Sequence, residues 1–307
     1  MRLRGLGLLL WAVLCLGVRG ADEVRLATYN VENYLLSAAG NRVAKPEAAK
    51  ARVAEILAGL RADIVGLQEM GGLEGLEELR ERTARLGWEY GHWEHVRGWD
   101  TNIQVALLSR HPIVARRSHT GDAYLVSGRR YRVSRGILEV DVRVGAREVW
   151  TVFVVHLKSR RPVSHADQAE MRREEARILR EKIDHRLRAE PSARVVVMGD
   201  LNDTRDSEAV RMVMGRGRGR LVDTRPAERR GGGGAVEDAG GRNDARSVTW
   251  TYFYGVKDTY DRIDYILLGP GLERAWVRGA SYVPVLEGWG VASDHRPVVV
   301  TVRTGGR

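Results

Sequence analysis

Cysteine is all but absent from this 307-residue chain: the single one, Cys15, sits in a leader-like stretch. A chain that starts after that stretch has none, which excludes a disulfide framework, a thiolate nucleophile and cysteine-ligated zinc. An oxidising exterior tolerates such a chain but gives it no covalent staple. Phenylalanine is scarce too, at two residues, so Leu, Val, Trp and Tyr must fill the core that a 43% hydrophobic content allows. Beyond the leader no stretch is apolar for long enough to span a bilayer. Acidic side chains are the minority sign, leaving a formal net charge of +10. A basic balance favours polyanions such as nucleic acid, anionic lipid headgroups or polyphosphates, although genomic arginine bias gives the same excess.

What is present begins with the leader. Arg2 and Arg4 precede an apolar run over residues 6–18, and the small residues Gly20 and Ala21 follow. A basic start, a short apolar middle and a small-residue exit read as a signal peptide over residues 1–20. The expected mature chain, residues 21–307, is then secreted or periplasmic, a monomer, and free of transmembrane segments. Loss of Arg2, Arg4 and Arg19 removes three of its +10 charges.

The length suits one large α/β domain. Apolar runs at 24–30, 63–68, 104–109, 137–144, 149–155, 194–198, 262–268, 275–283 and 297–302 read as strands, and Trp88, Tyr90 and Trp93 as a further aromatic one. Helices are expected at 46–60, where Pro46 suits the first turn, and at 73–86, 166–187 and 207–214. This mixture points to central sheets with helices on the outer faces. Residues 229–246, with four consecutive glycines at 231–234, read as a flexible surface loop within the same domain.

Polar residues fall at the ends of these strands. Asn30, Glu69, His156, Asp200 and Asn202 each follow an apolar run, Asp264 lies in a late strand, and Asp294 and His295 precede the last. Carboxylates, carboxamides and imidazoles without cysteine form a donor set for a hard cation such as Mg2+, with Mn2+ as the alternative.

The ordered motifs Thr28-Tyr29-Asn30-Val31, Leu67-Gln68-Glu69, His156-Leu157-Lys158-Ser159, Gly199-Asp200-Leu201-Asn202-Asp203, Arg262-Ile263-Asp264-Tyr265 and Ser293-Asp294-His295-Arg296-Pro297-Val298 resemble those of the endonuclease/exonuclease/phosphatase family. The resemblance implies a four-layer α/β sandwich with two packed, mostly antiparallel sheets, and metal-dependent phosphodiester hydrolysis. It implies Glu69 as the main metal ligand, Asn30 ligating the metal or orienting its waters, and Asp294 completing the shell. It also places His156 against the phosphate, where it could protonate the leaving oxygen or bind non-bridging oxygens.

The residues themselves add roles. Asp200 and Asn202 lie two apart, which in extended chain puts both on one face, Asp200 to orient the attacking water and Asn202 to donate to a phosphate oxygen. Asp203, of opposite parity, shapes the turn. His295 is the candidate general base, its tautomer fixed by Asp264. Asp294 points away from His295 if that segment is extended. Arg135 is a candidate phosphate clamp, with a solvated surface position as the alternative, and Lys158 is similar. Trp250, Tyr252 and Tyr254 share a parity and line either a substrate cleft or a packed strand. The expected function is an exported nuclease acting on DNA or RNA. A sphingomyelin-type phospholipid diesterase is the first alternative, but the sequence shows no convincing apolar hairpin for membrane contact. Inositol polyphosphate phosphatase and a non-catalytic scaffold rank below it, the first for want of a dense Lys/Arg cluster, the second because every key position is filled.

Overall fold

The computed structural model describes residues 23–164, 166–230 and 248–305. The leader, the Gly-rich stretch beyond Arg230 and His165 lie outside the described residues.

Two sheets dominate. The seven-stranded sheet runs, edge to edge, through β12 (Ala227–Arg230), β16 (Tyr282–Val285), β17 (Val298–Arg303), β1 (Glu23–Tyr34), β2 (Ile64–Met70), β4 (Gln104–Ser109) and β3 (His92–Val96). The six-stranded sheet runs through β11 (Val222–Asp223), β15 (Asp264–Leu268), β10 (Val195–Asp200), β9 (Glu148–His156), β8 (Leu138–Gly145) and β5 (Ile113–Arg116). Only the β1–β2, β9–β10 and β12–β16 pairs are parallel; the other pairs in these sheets are antiparallel.

The side-chain period of two distributes the core. Leu26, Val196, Met198, Val152, Val154, Ile266, Val298 and Val300 point between the sheets and form the central layer of contact. Their neighbours in sequence point outward. Ala27, Tyr29, Val65 and Val299 meet α1 (Glu47–Leu60) and α2 (Leu73–Arg85). Phe153, Val195, Val197 and Leu267 meet α3 (Gln168–Ala189) and α4 (Glu208–Met214). The result is helices, sheet, sheet, helices, the four layers that the family resemblance implies. Valine carries most of the load that phenylalanine does not.

The helices start and stop for local reasons. Pro46 caps α1, whose buried stripe is Val53, Ile56, Leu57 and Leu60, and Arg61 ends it in a left-handed conformation. The Asp167 carboxylate accepts from the Glu170 amide and caps α3. Two short helices, α5 (Pro270–Glu273) and α6 (Trp289–Ala292), lie in the late connections.

Some expectations fail. Residues 275–283 are mostly not strand. A 3-10 turn at Arg278–Ala280 interrupts them; Trp276 makes a single bridge to Val302, and the strand proper is Tyr282–Val285, so the apolar letters before it pack a connection. Trp88 and Tyr90 precede β3 rather than belong to it, since a residue spacing of 88, 90, 93 is not a period of two. Even so, Tyr90 is fully buried, and Trp88 and Trp93 pack on the same cluster. Arg229 and Arg230 close β12 instead of opening the loop.

Two hairpins missed by the sequence reading stand apart from the main sheets. One joins β6 (Ala123–Val126) to β7 (Arg129–Arg132). The other joins β13 (Tyr252–Tyr254) to β14 (Thr259–Asp261), and exposes Tyr254, Val256 and Tyr260. An exposed aromatic hairpin therefore exists, against the expectation of none.

Helix α3 is tied to the sheet by a buried carboxylate. Glu139 on β8 accepts from Arg117 Nε at 2.9 Å and contacts His119 Nε2 at 2.7 Å and Arg186 of α3. Burial alone pushes this carboxyl up, but the hydrogen bonds from His119 and Arg117 and the pairing with Arg186 outweigh it and hold it at about 2. A depressed folded pKa stabilises the fold fully above the unfolded value of 4.5, and that contribution is lost as pH falls toward 2. Allowing for water around the three partners, it amounts to about 2 kcal/mol. Glu139→Gln should lower stability to urea by that amount at pH 7, and the gap to wild type should close near pH 2. A gap independent of pH would show that packing, not charge, holds the joint.

Candidate active site

Strand register alone assembles the centre. Asp200, the last residue of β10, stands opposite His156 on β9 and opposite Asp264 on β15. Each shares the parity of the residues that point between the sheets: Met198 for Asp200, Val154 for His156, Ile266 for Asp264. On the facing sheet Asn30 has the parity of Leu26 on β1. All four therefore face the gap between the sheets at one rim, where the apolar layer ends.

Asp200 Oδ2 is the hub. Asn30 Nδ2 donates to it across the gap at 3.1 Å, His156 Nε2 lies at 3.5 Å and His295 Nε2 at 3.8 Å. Asp200 Oδ1 accepts the Asn202 amide at 2.7 Å. His295 Nδ1 meets Asp264 Oδ2 at 2.9 Å. The Ser293 hydroxyl donates to the Asn30 carbonyl at 2.8 Å and accepts the His295 amide, so it pins the loop carrying His295 to β1. Thr251 Oγ1 accepts the amides of Ile263 and Asp264 and fixes the start of β15.

Burial and charge set the protonation. Burial pushes Asp200 up, helped by the neighbouring Asp264 carboxylate. Burial opposes charge on His295, but Asp264, Asp200 and Asp294 outweigh it and raise the imidazole to about 10. His156 is driven well down by burial and by Arg135, and is neutral. Asp200 and His295, 3.8 Å apart, therefore titrate as a pair rather than singly.

A second group of acids lies beside the first. Glu69 Oε2 accepts the Asn33 amide at 3.1 Å and has Arg42 Nη1 at 3.9 Å. The Asp294 amide donates to Glu32 Oε2 at 3.2 Å. Burial, with the nearby Glu32 and Glu69 carboxylates, pushes Asp294 up to about 6 against the pull of His295. His295 Nε2 and Asp294 Oδ1 are 3.9 Å apart, so both face the same site and the strict parity split does not hold. Glu32, Asn33, Glu69 and Asn202 are four of the eight non-glycine residues with positive φ among the described residues, at 44°, 51°, 59° and 54°. Such backbone strain persists where surroundings over-determine it, and it gathers at functional rims.

Both groups can serve a cation. Ligand atoms of Asp200, Asp264 and His295 lie within 4.8 Å of one another, the one such cluster among the described residues. Asp264 Oδ2 is already engaged by His295 Nδ1, which suits that trio to a proton relay more than to a metal shell. Glu69, Asp294 and the newly recognised Glu32 are crowded like charges with oxygen donors, an arrangement that a hard divalent cation relieves.

The remaining expected residues are placed as follows. Asn202 does not continue the strand: its left-handed φ turns the chain, and its Nδ2 donates to the Leu157 carbonyl at 3.0 Å. The strand-parity reason for pairing it with Asp200 is therefore replaced by an Asx-type turn. Asp203 shapes that turn and pairs with Arg172 at 2.7 Å. Arg135 is buried, 3.7 Å from Asp100, and its Nε and Nη1 find no hydrogen-bond partner. His156 Nδ1 and Asp264 Oδ1 are likewise buried without partners. Unsatisfied buried polar atoms at one site are what a missing polar ligand leaves behind. Tyr252 lines the site, its ring 4.6 Å from that of His295, whereas Trp250 packs on Tyr260, Trp289 and the Arg296 guanidinium.

Sequence reasoning missed Glu32, Lys45 and Glu175. Glu32 sits two residues past Asn30. Lys45 is buried and donates to the Glu32 carbonyl at 2.8 Å. Glu175 falls one turn before Leu179 on the buried face of α3, a signal that the apolar stripe already contained.

The sequence matches the model of the Endonuclease/Exonuclease/phosphatase family over residues 27–295. No curated protein matches it. Among solved structures, it is similar to an endonuclease/exonuclease/phosphatase from Bacteroides vulgatus, at 18% identity and TM-score 0.63, covering 92% of this chain and 99% of that one. Truncated Caenorhabditis elegans TDP2 matches at 17% identity and TM-score 0.60, over 92% and 98% of the two chains. Sphingomyelinase C from Streptomyces griseocarneus matches at 17% identity and TM-score 0.58, over 92% and 100%.

Proposed function

The chain belongs to the endonuclease/exonuclease/phosphatase family of phosphodiester hydrolases, and from that premise we propose an exported, Mg2+-dependent nuclease that cuts DNA or RNA by in-line attack of water. The observation that carries the chemistry is Asp200 Oδ2 ringed by Asn30, His156 and His295 at 3.1, 3.5 and 3.8 Å. A water beside that oxygen is oriented for attack on phosphorus and loses its proton to the Asp200–His295 pair, with Asp264 steadying the imidazolium. As the new P–O bond forms, the bond to the leaving oxygen breaks on the far side, and that oxygen takes up a proton from solvent. The buried, unpartnered donors of Arg135 and the neutral imidazole of His156 grip non-bridging oxygens, with Asn202 holding the Leu157 end of β9 in place. Mg2+, or Mn2+ in its stead, would be held by Glu69, Asp294 and Asn30, now with Glu32, and would supply positive charge to the phosphate.

The basic balance, which stays positive after loss of the three leader arginines from the +10 of the full chain, supports a nucleic-acid substrate, which needs phosphate contacts rather than base readout in such an enzyme. The basic, apolar leader supports export, and no helix of the described residues is long and apolar enough to cross a membrane. One observation favours a second reading: the β13–β14 hairpin exposes Tyr254, Val256 and Tyr260 next to His295, and tyrosines suit a lipid–water boundary. The test is plasmid nicking and single-strand cleavage beside sphingomyelin hydrolysis, each with Mg2+ and with chelator. Mg2+-dependent cleavage of nucleic acid is expected. Activity on the lipid alone would overturn the nuclease reading, and full activity in chelator would overturn the metal.

A further inference from the structure

The β6–β7 hairpin is an addition to the sandwich that the hydrolytic centre does not use. With the segment around Trp99 it walls a cleft of about 380 Å3, lined by Trp99, Arg130, Tyr131, Arg132, Ser134 and Lys158 among others. That volume is in the range of small-ligand pockets. The cleft is continuous with the active site along the chain: Lys158 lies two residues past His156, and Ser134 precedes Arg135.

One buried carboxylate locks the two together. Glu175 of α3 accepts the Ser134 amide at 3.2 Å, the Lys158 amide at 2.7 Å and the Tyr124 hydroxyl at 3.5 Å. On the other side, the Asp100 amide donates to the Ser134 carbonyl at 2.7 Å. A Cβ on Gly98 would meet the Arg135 carbonyl carbon at 2.4 Å, so the segment carrying Trp99 lies hard against the backbone of Arg135. The cleft therefore has a fixed place relative to the phosphate-gripping residues.

Its chemistry is aromatic and cationic. Trp99 is 64% exposed, far more than a structural indole needs, and the Arg132 guanidinium sits 4.6 Å from its ring centroid. Arg130 and Arg132 are exposed, and Lys158 adds a third cation. An exposed indole offers a stacking platform to a planar base, and the cations beside it answer the charge of a sugar–phosphate chain. A duplex keeps its bases stacked on one another, so the platform suits an unpaired base.

We infer that this cleft is a secondary subsite for single-stranded nucleic acid, holding a nucleotide that adjoins the scissile phosphate, its base on Trp99 and its phosphate between Arg130 and Lys158. The inference rests on the nuclease reading and deepens it. Substrates long enough to reach the cleft gain affinity from it, while a minimal diester fills the hydrolytic centre alone.

The test compares wild type, Trp99→Ala and Arg130→Ala on a short single-stranded oligonucleotide, its duplex, and bis(p-nitrophenyl) phosphate, in Mg2+ buffer. Trp99→Ala should raise KM for the single strand about tenfold, the scale of one lost base stack, with kcat/KM on the small diester unchanged. Arg130→Ala should flatten the dependence of single-strand binding on salt. An unchanged KM for the oligonucleotide in Trp99→Ala, in an enzyme that cleaves it, overturns the subsite and leaves the nuclease reading standing. So does an equal loss on single strand and duplex, which would make the indole a general contact. A wild-type protein that hydrolyses only the small diester or sphingomyelin overturns the nuclease reading itself.

Discussion

Asp200→Asn is expected to lower kcat on a phosphodiester by about a thousandfold or more, with the fold retained. The carboxylate lies within reach of Asn30, His156 and His295 together, and it joins the two sheets. An asparagine keeps the size and can still accept the Asn202 amide, so the turn that follows β10 survives. It cannot accept a proton from water. Its amide hydrogens also confront the Asn30 Nδ2 that the carboxylate oxygen satisfied, a local mismatch of about 1–3 kcal/mol, within what a domain of this size absorbs. Positioned acid–base groups contribute about a hundred- to ten-thousandfold to rate, and loss of the charge that orients the water adds to this. Turnover of a small diester, with circular dichroism for the fold, checks it. A loss below tenfold would remove Asp200 from the chemistry.

One residue earlier the expected effect is structural. Gly199 has φ +142°, which L side chains rarely adopt, and a Cβ there would lie 2.0 Å from the Val155 carbonyl oxygen. That oxygen belongs to β9, the parallel neighbour of β10 in the middle of the sheet. Neither strand can move aside without breaking its other pairings. Gly199→Ala should cost at least about 4 kcal/mol and yield protein that fails to fold or melts far below wild type. Chemical denaturation followed by tryptophan fluorescence measures it; a cost under about 1 kcal/mol would mean that the sheet opens here at little expense. The glycine at the head of the Gly199-Asp200 pair therefore serves strand packing, and the aspartate serves the chemistry.

The candidate site is legible in the sequence to the extent that its residues end strands. A carboxylate or imidazole at the close of an apolar run is out of place in a core, and Glu69, His156 and Asp200 are conspicuous for that reason, whereas Asp264 opens its strand. The four layers were legible through the alternation in β1, β9, β10 and β17. Other features could not be read locally. Edge strands such as β5 are short and half-exposed, so they carry little pattern. The strand expected over 275–283 failed because apolar composition does not distinguish a strand from a packed connection with a 3-10 turn. The period of two that pairs Asn202 with Asp200 ends where the chain enters a left-handed turn, which no spacing announces. Glu32 and Lys45 were missed because their importance lies in what the fold brings beside them, Asp294 from more than two hundred residues away.

The strand arrangement around the site repeats itself. β2 is antiparallel to β4 and parallel to β1, which is antiparallel to β17. β9 is antiparallel to β8 and parallel to β10, which is antiparallel to β15. The two sheets thus share one order of pairings at their centres and form two half-shells of like strand arrangement. Asn30 and Glu69 belong to one shell, His156, Asp200 and Asp264 to the other, and the 3.1 Å hydrogen bond from Asn30 to Asp200 is a suture between them. Neither shell holds a working centre. Catalytic geometry is therefore a property of how the shells are clamped, and the clamp includes distant contacts such as Gly66 against Met198, where an added methyl would meet the sulfur at 2.7 Å. Wedging the shells apart there would misalign the chemistry without touching a single reactive group.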